Sequence, residues 1–133
     1  MIDFLAKLLS QNGFMPHGMC FQWQPEILWM HVIADLVVAL AYFSIPLALA
    51  LVLHRRRHVP FRGLIVLFAL FILLCGLTHA VGIIVLWEPV YRLQGLIKLA
   101  TAAVSIATAV VLFPLLPRLM VAAENFEQTL HER

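Results

Sequence analysis

Charge is what this sequence has least of. Lys, Arg, Asp and Glu make up 12% of its 133 residues, against about a quarter in an average globular chain. Nine basic residues against seven acidic ones leave a net charge of +2. That is too small for a phosphate-binding footprint, so nucleic acid is excluded as a partner. Also missing is any kinase, nuclease or cyclase signature, so the chain itself is not expected to be an enzyme. What is present instead is apolar: 63% of the residues, with a mean hydropathy of +0.98. A water-soluble enzyme and a disordered linker are both ruled out by that figure. The length allows one domain, and nearly all of it must be dissolved in a bilayer.

A hydrocarbon core of ~30 Å needs about 20 apolar residues as helix. Three stretches qualify. Residues 27–53 contain only His31 and Asp35 as strongly polar members. Residues 63–87 contain no Lys, Arg, Asp or Glu. Residues 93–116 carry one charge, Lys98, and turn Ala/Thr/Ser-rich from Ala100 to Ala109. Small residues of that kind let helices approach closely. The expected fold is therefore an all-α membrane protein, with three transmembrane helices in a dimeric bundle.

Orientation follows from the loops. The segment His54–Arg62 holds Arg55, Arg56, Arg57 and Arg62, whereas the first 26 residues hold only Lys7 as a basic residue. The positive-inside rule places the arginine loop and the C-terminus in the cytoplasm and the N-terminus outside. Residues 1–26 form the extracytoplasmic segment. Ile2, Leu5, Leu8 and Leu9 share one helical face, stopped at Asn12-Gly13, which predicts a short interfacial amphipathic helix. Asp3, Lys7 and the lack of a long apolar run argue against a signal peptide. Trp23, Trp29, Trp87 and Tyr91 fall at the outer boundary, as an aromatic belt. In residues 118–133, Leu119, Ala123, Phe126 and Leu130 follow a 4-3-4 spacing. The start of a cytoplasmic coiled coil and a frayed amphipathic end both fit it. Any output domain is expected beyond Arg133.

The chemistry sits in a few polar residues at membrane depth. Cys75 and His79 are four residues apart, one helical turn on one face. Thiolate is a soft ligand and imidazole suits copper and zinc. Two ligands from one helix do not fill a tetrahedral zinc site, but they suit Cu(I), which tolerates low coordination. The plainer alternative is a buried Cys packing as a small hydrophobe. Gly76 removes bulk beside the thiol.

Ionisable residues inside spans are functional candidates, and each needs a partner. Counted from the outer ends of their spans, Asp35, His79 and Lys98 lie about 12, 12 and 9 Å deep at ~1.5 Å per residue. An Asp35–Lys98 ion pair is expected, either as part of the site or as a purely structural tie. Asp35 is also placed to orient the His79 ring. In the first span Pro46 removes a helix donor and frees the carbonyl of Tyr42. That fits either a small cavity near the midplane or a merely tolerated kink. Outside, Met15, His17, Met19 and Cys20 fit a copper-loading site, or an ordinary loop whose unpaired Cys20 forms an intermolecular disulfide.

The strings Ala41-Tyr42-Phe43-Ser44-Ile45-Pro46 and Cys75-Gly76-Leu77-Thr78-His79, followed by Lys98 and its Ala/Thr/Ser-rich helix, resemble the transmembrane sensor domain of ethylene receptors. Pro16-His17-Gly18, Cys20 and Trp23-Gln24 are similar to the bacterial and cyanobacterial branch. The resemblance covers roughly Pro16 to Leu116. It implies a dimerising three-helix module that binds Cu(I) through Cys75 and His79 and ethylene through the copper. It further implies pocket roles for Tyr42, Ile45, Pro46 and Ile72, and supporting roles for Asp35 and Lys98. A cytoplasmic histidine-kinase output in a bacterial inner membrane is implied as well. Two departures stand out: Cys20 is alone where plant receptors have two cysteines, and Leu77 is bulky where a small residue is common.

Chemical logic agrees. Ethylene has no charge and no useful hydrogen bond, so its only strong handle is its π system. Detecting it calls for a soft, electron-rich metal in a dry pocket, reached by partitioning through lipid. Two rival readings remain at this point: a haem or redox membrane protein using His31 and His79, and a passive dimerising membrane anchor.

Overall fold

The computed structural model describes residues 1–11 and 13–132. Asn12, half of the expected helix stop, and Arg133, the end of the tail, lie outside the described residues. Four α-helices and one 3₁₀ helix, with no strand, make up the regular structure of the described residues. They are α1 (Ile2–Ala6), the 3₁₀ helix (His17–Phe21), α2 (Pro25–Arg55), α3 (Arg62–Ile84) and α4 (Tyr91–Glu132). The last three are long and apolar enough to cross a membrane, so the protein is an integral membrane protein.

The helix ends shift from the sequence expectation for identifiable reasons. α1 stops at Ala6, short of the Leu8–Leu9 pair, and has no side-chain cap. Five residues form little more than the costly first turn. α2 opens with Pro25 at its first position, where the missing N–H would have been unpaired anyway. Within α2, Ser44 Oγ donates back to the Ala41 carbonyl at 2.7 Å, and the helix continues through Pro46. α3 ends at Ile84 rather than Trp87. Pro89 disfavours helical backbone at the residue before it, and the turn folds Val85 and Leu86 into the interior.

α3 is the middle of the molecule. It packs against α2 on one side and α4 on the other, while α2 and α4 share little contact. On α2 the residues turned inward are Leu28, Val32, Asp35, Ala39, Tyr42, Pro46, Leu49 and Leu53. They alternate 4 and 3 along the chain, a single stripe of helical period. The α3–α4 turn is held by Val81, Val85 and Val90, with Tyr91, Leu93 and Ile97 packed on them.

α4 is one helix of 42 residues. At 1.5 Å per residue it is about 63 Å long, roughly twice the hydrocarbon thickness. Its C-terminal half therefore projects beyond the membrane and carries the tail without a break, through Pro114 and Pro117. Thr101, Ser105 and Thr108 donate to carbonyls four residues back, at 2.8, 2.6 and 2.7 Å. Their hydroxyls are thus satisfied inside the helix, without a second helix.

The N-terminal segment caps the α3–α4 end. His17 N–H donates to the Val85 carbonyl at 2.8 Å and Gly18 N–H to the Leu86 carbonyl at 3.0 Å, so carbonyls left free at the end of α3 are paired. Tyr91 Oη donates to the Met15 carbonyl at 2.6 Å, and Gln11 donates to Glu88. A side chain on Gly18 would meet the Trp23 ring and lie 2.8 Å from the Leu86 carbonyl oxygen. Gln22 and Trp23 both take left-handed backbone (φ 53° and 52°), which reverses the chain into α2. Trp23 and Trp87 then face each other with ring centroids 6.4 Å apart.

Candidate functional site

The polar residues at membrane depth meet where α2 crosses α3. Asp35 belongs to the inward stripe of α2, and His79 faces it from α3. Asp35 Oδ1 and His79 Nδ1 are 2.8 Å apart. With the carboxylate ionised, Nδ1–H is the donor in this contact, and in a neutral ring that leaves Nε2 as the nitrogen without a proton. A carboxylate holding one imidazole nitrogen so that the other can bind a metal is a recurrent arrangement at metal sites.

Two turns below Asp35, the Tyr42 ring stands edge-on to the His79 ring, centroids 6.3 Å apart at 89°. Glycines on α3 permit this approach. A Cβ on Gly76 would sit 3.1 Å from the Phe43 ring and 3.2 Å from Tyr42 Cβ. Gly76 therefore serves the helix contact more than the neighbouring thiol. A Cβ on Gly82 would lie 3.4 Å from Asp35 Oδ2. Thr78 Oγ1 donates to the Cys75 carbonyl at 2.6 Å, which satisfies its hydroxyl within α3.

Cys75 is a free thiol, half-buried one turn before His79. Among the described residues, no group of three or more His, Cys, Asp and Glu comes together. The available donors on one chain are thus a thiol, one imidazole nitrogen and a carboxylate already engaged with that imidazole. This set is too small for a closed tetrahedral zinc site.

The expected Asp35–Lys98 ion pair is absent among the described residues, where Asp35 instead hydrogen-bonds to His79. Lys98 is exposed on α4. The helix arrangement explains this, because α4 flanks α3 on the side away from α2.

The remaining sequence candidates are dispersed. Pro46 lies on the inward stripe, Ile72 is half-buried on α3, and Ile45 is exposed off the stripe. The His31 ring stacks on Phe21 at 4.7 Å while His79 is held by Asp35, so the two histidines of the haem reading are engaged separately. Met15 gives its carbonyl to Tyr91, the His17 ring meets Phe21 edge-on at 5.0 Å, and Met19 and Cys20 are exposed. Phe43 and Gly82 also belong to the site. Gly82 lies three residues after His79, on the same helical face, which is the signal that pointed to it.

Residues 26–122 match the family described as "Ethylene receptor 1-like, N-terminal domain". Among curated proteins, "Ethylene receptor 3" of Oryza sativa subsp. japonica is 41% identical over 105 residues, covering 75% of this chain and 12% of the relative. "Ethylene receptor 3" of Oryza sativa subsp. indica is 43% identical over 93 residues, covering 66% of this chain and 11% of the relative. The chain thus spans only a small part of the curated relatives it matches. No solved structure matches it significantly.

Proposed function

The chain belongs to the family of ethylene receptor N-terminal domains, and on that membership together with the Asp35–His79 contact we propose that it is a Cu(I)-dependent ethylene-sensing input module. The single observation that carries the proposal is the 2.8 Å hydrogen bond between Asp35 and His79 at membrane depth. It leaves Nε2 available one turn from the Cys75 thiol.

In this reading Cys75 and His79 hold the ion, and Cu(I) supplies d-electron density to the π system of the alkene. The protein supplies the rest. Asp35 fixes the His79 ring and its tautomer. Gly76 lets α2 come close enough for Tyr42 and Phe43 to pack on α3 beside the ligand pair. Tyr42, Pro46 and Ile72 give the site its apolar surroundings in this reading, and Ile45, exposed off the inward stripe, contributes only from the outer flank of α2. Lys98 stands at the outer margin as a supporting cation. An apolar gas enters by partitioning from lipid, so no aqueous channel is required.

Two chains dimerise in this proposal. The N-terminal segment lies outside, with Met15, His17, Met19 and Cys20 as a copper-loading or disulfide-forming surface. The projecting half of α4 leads to a cytoplasmic kinase output.

The test is radiolabelled ethylene binding to membranes carrying the chain, with added copper and with a Cu(I) chelator. Saturable binding that the chelator removes, and that Cys75→Ser abolishes, is expected. Copper-independent binding, or full binding by Cys75→Ser, overturns the reading.

A further inference from the structure

The densest charge in the molecule lies away from the ethylene site, where α2 meets the loop to α3. Arg55, Arg56 and Arg57 follow one another, and all three are exposed. The fourth arginine, Arg62, is already used: its Nη1 donates to the Leu53 carbonyl at 3.1 Å, across the loop. Arg62 thereby caps the end of α2 and fixes the loop's shape. No acid lies in residues 54–62, and among the described residues no ion pair involves an arginine.

Two clefts open at this point. One, of about 500 Å³, is lined by Arg55, Arg56, Arg57, His58, Val59 and Pro60. The other, of about 480 Å³, is lined by Leu51, Val52, Arg55 and Arg56. Arg55 and Arg56 line both. The first cleft is cationic and sits at the end of the membrane-spanning stretch. The second runs down the apolar flank of α2, where acyl chains lie. A ligand that fills both must be anionic at one end and apolar at the other, at the depth where a bilayer's headgroups meet its hydrocarbon. Arginine's planar fork matches phosphate oxygens in pairs, and basic clusters beside a membrane span attract anionic lipid.

We propose that the end of α2 and the loop after it form a binding site for one anionic phospholipid, with its phosphate between Arg55 and Arg56 and an acyl chain along Leu51 and Val52. The site is independent of copper and of ethylene.

Detergent-purified, delipidated protein is titrated with phosphatidylglycerol or phosphatidylcholine, and native mass spectrometry counts the bound lipid. Phosphatidylglycerol is expected to saturate at one tightly held molecule per chain, with phosphatidylcholine at least tenfold weaker. The double change Arg55→Gln/Arg56→Gln leaves Arg57 and Arg62 to keep the orientation and reduces phosphatidylglycerol affinity about tenfold or more. Unchanged circular dichroism of this variant shows that it is folded. Arg118→Gln, on the projecting part of α4, leaves the affinity unchanged. Millimolar inorganic phosphate or glycerol phosphate does not displace the lipid. Equal retention of the two lipids, unchanged binding by the double variant, or an equal loss in Arg118→Gln overturns the proposal. Displacement by free phosphate overturns the commitment to a lipid.

Discussion

At Asp35 the sequence leaves two partners open, Lys98 and His79, and the difference is chemical. Paired with lysine, the carboxylate would merely cancel a charge. Bonded to Nδ1 at 2.8 Å, it fixes the orientation of the imidazole and turns Nε2 toward a possible ligand. Asp35→Asn keeps an acceptor for Nδ1–H and removes the charge. Its Cu(I) affinity is expected to fall about 10–100-fold, read by competition with a chromogenic Cu(I) chelator. Lys98→Met should fall by much less, because Lys98 does not touch Asp35 within the chain. Equal losses in the two variants would instead tie Lys98 to the carboxylate. Asp35, Cys75, His79 and Lys98 are legible in the sequence because each is costly in hydrocarbon. Phe43 is not, because an aromatic within an apolar run carries no mark of the neighbour it will face, and Gly82 is marked only by its spacing from His79.

Among the elements, the α2–α3 crossing depends on Gly76. A side chain there meets Phe43 and Tyr42 at 3.1–3.2 Å, so Gly76→Val must push α2 outward or turn the Phe43 ring. Overpacking of this kind costs about 1–3 kcal/mol. The variant is expected to unfold at lower temperature in detergent and to lose copper and ethylene binding together, although both proposed ligands are intact. Full binding at wild-type affinity would show that the crossing is not tight. The helices themselves are readable from apolar run length, and their ends less so. α3 closes three residues before the expected Trp87 because Pro89 and the buried Val85–Leu86 pair turn the backbone first. The 3₁₀ helix at His17–Phe21 escapes the pattern altogether. It exists to pair with carbonyls of Val85 and Leu86, a contact about 70 residues distant in sequence.

For the whole molecule, the two cysteines report on topology. Cys20 is exposed in the N-terminal cap, and Cys75 is half-buried in α3. A membrane-impermeant maleimide applied to intact cells is expected to label the wild-type chain at Cys20 and to leave Cys20→Ser unlabelled. Labelling of Cys20 only from the cytoplasmic side would reverse the proposed orientation and carry the arginine loop with it. The same layout accounts for α4, whose length of about twice the hydrocarbon core carries it beyond the membrane-spanning stretch.

By itself the sequence determined the solvent, the number of spans and the residues out of place in lipid. Hydropathy and charge are local properties, summed over a window. The tertiary structure decided which of those residues meet. It placed α3 between α2 and α4, gave Asp35 to His79, left Lys98 exposed on α4, and put Arg55 and Arg56 on the linings of two clefts at once. Such choices depend on how three helices are arranged around one another, and apolar faces of nearly uniform composition do not encode that arrangement in any single stretch of chain.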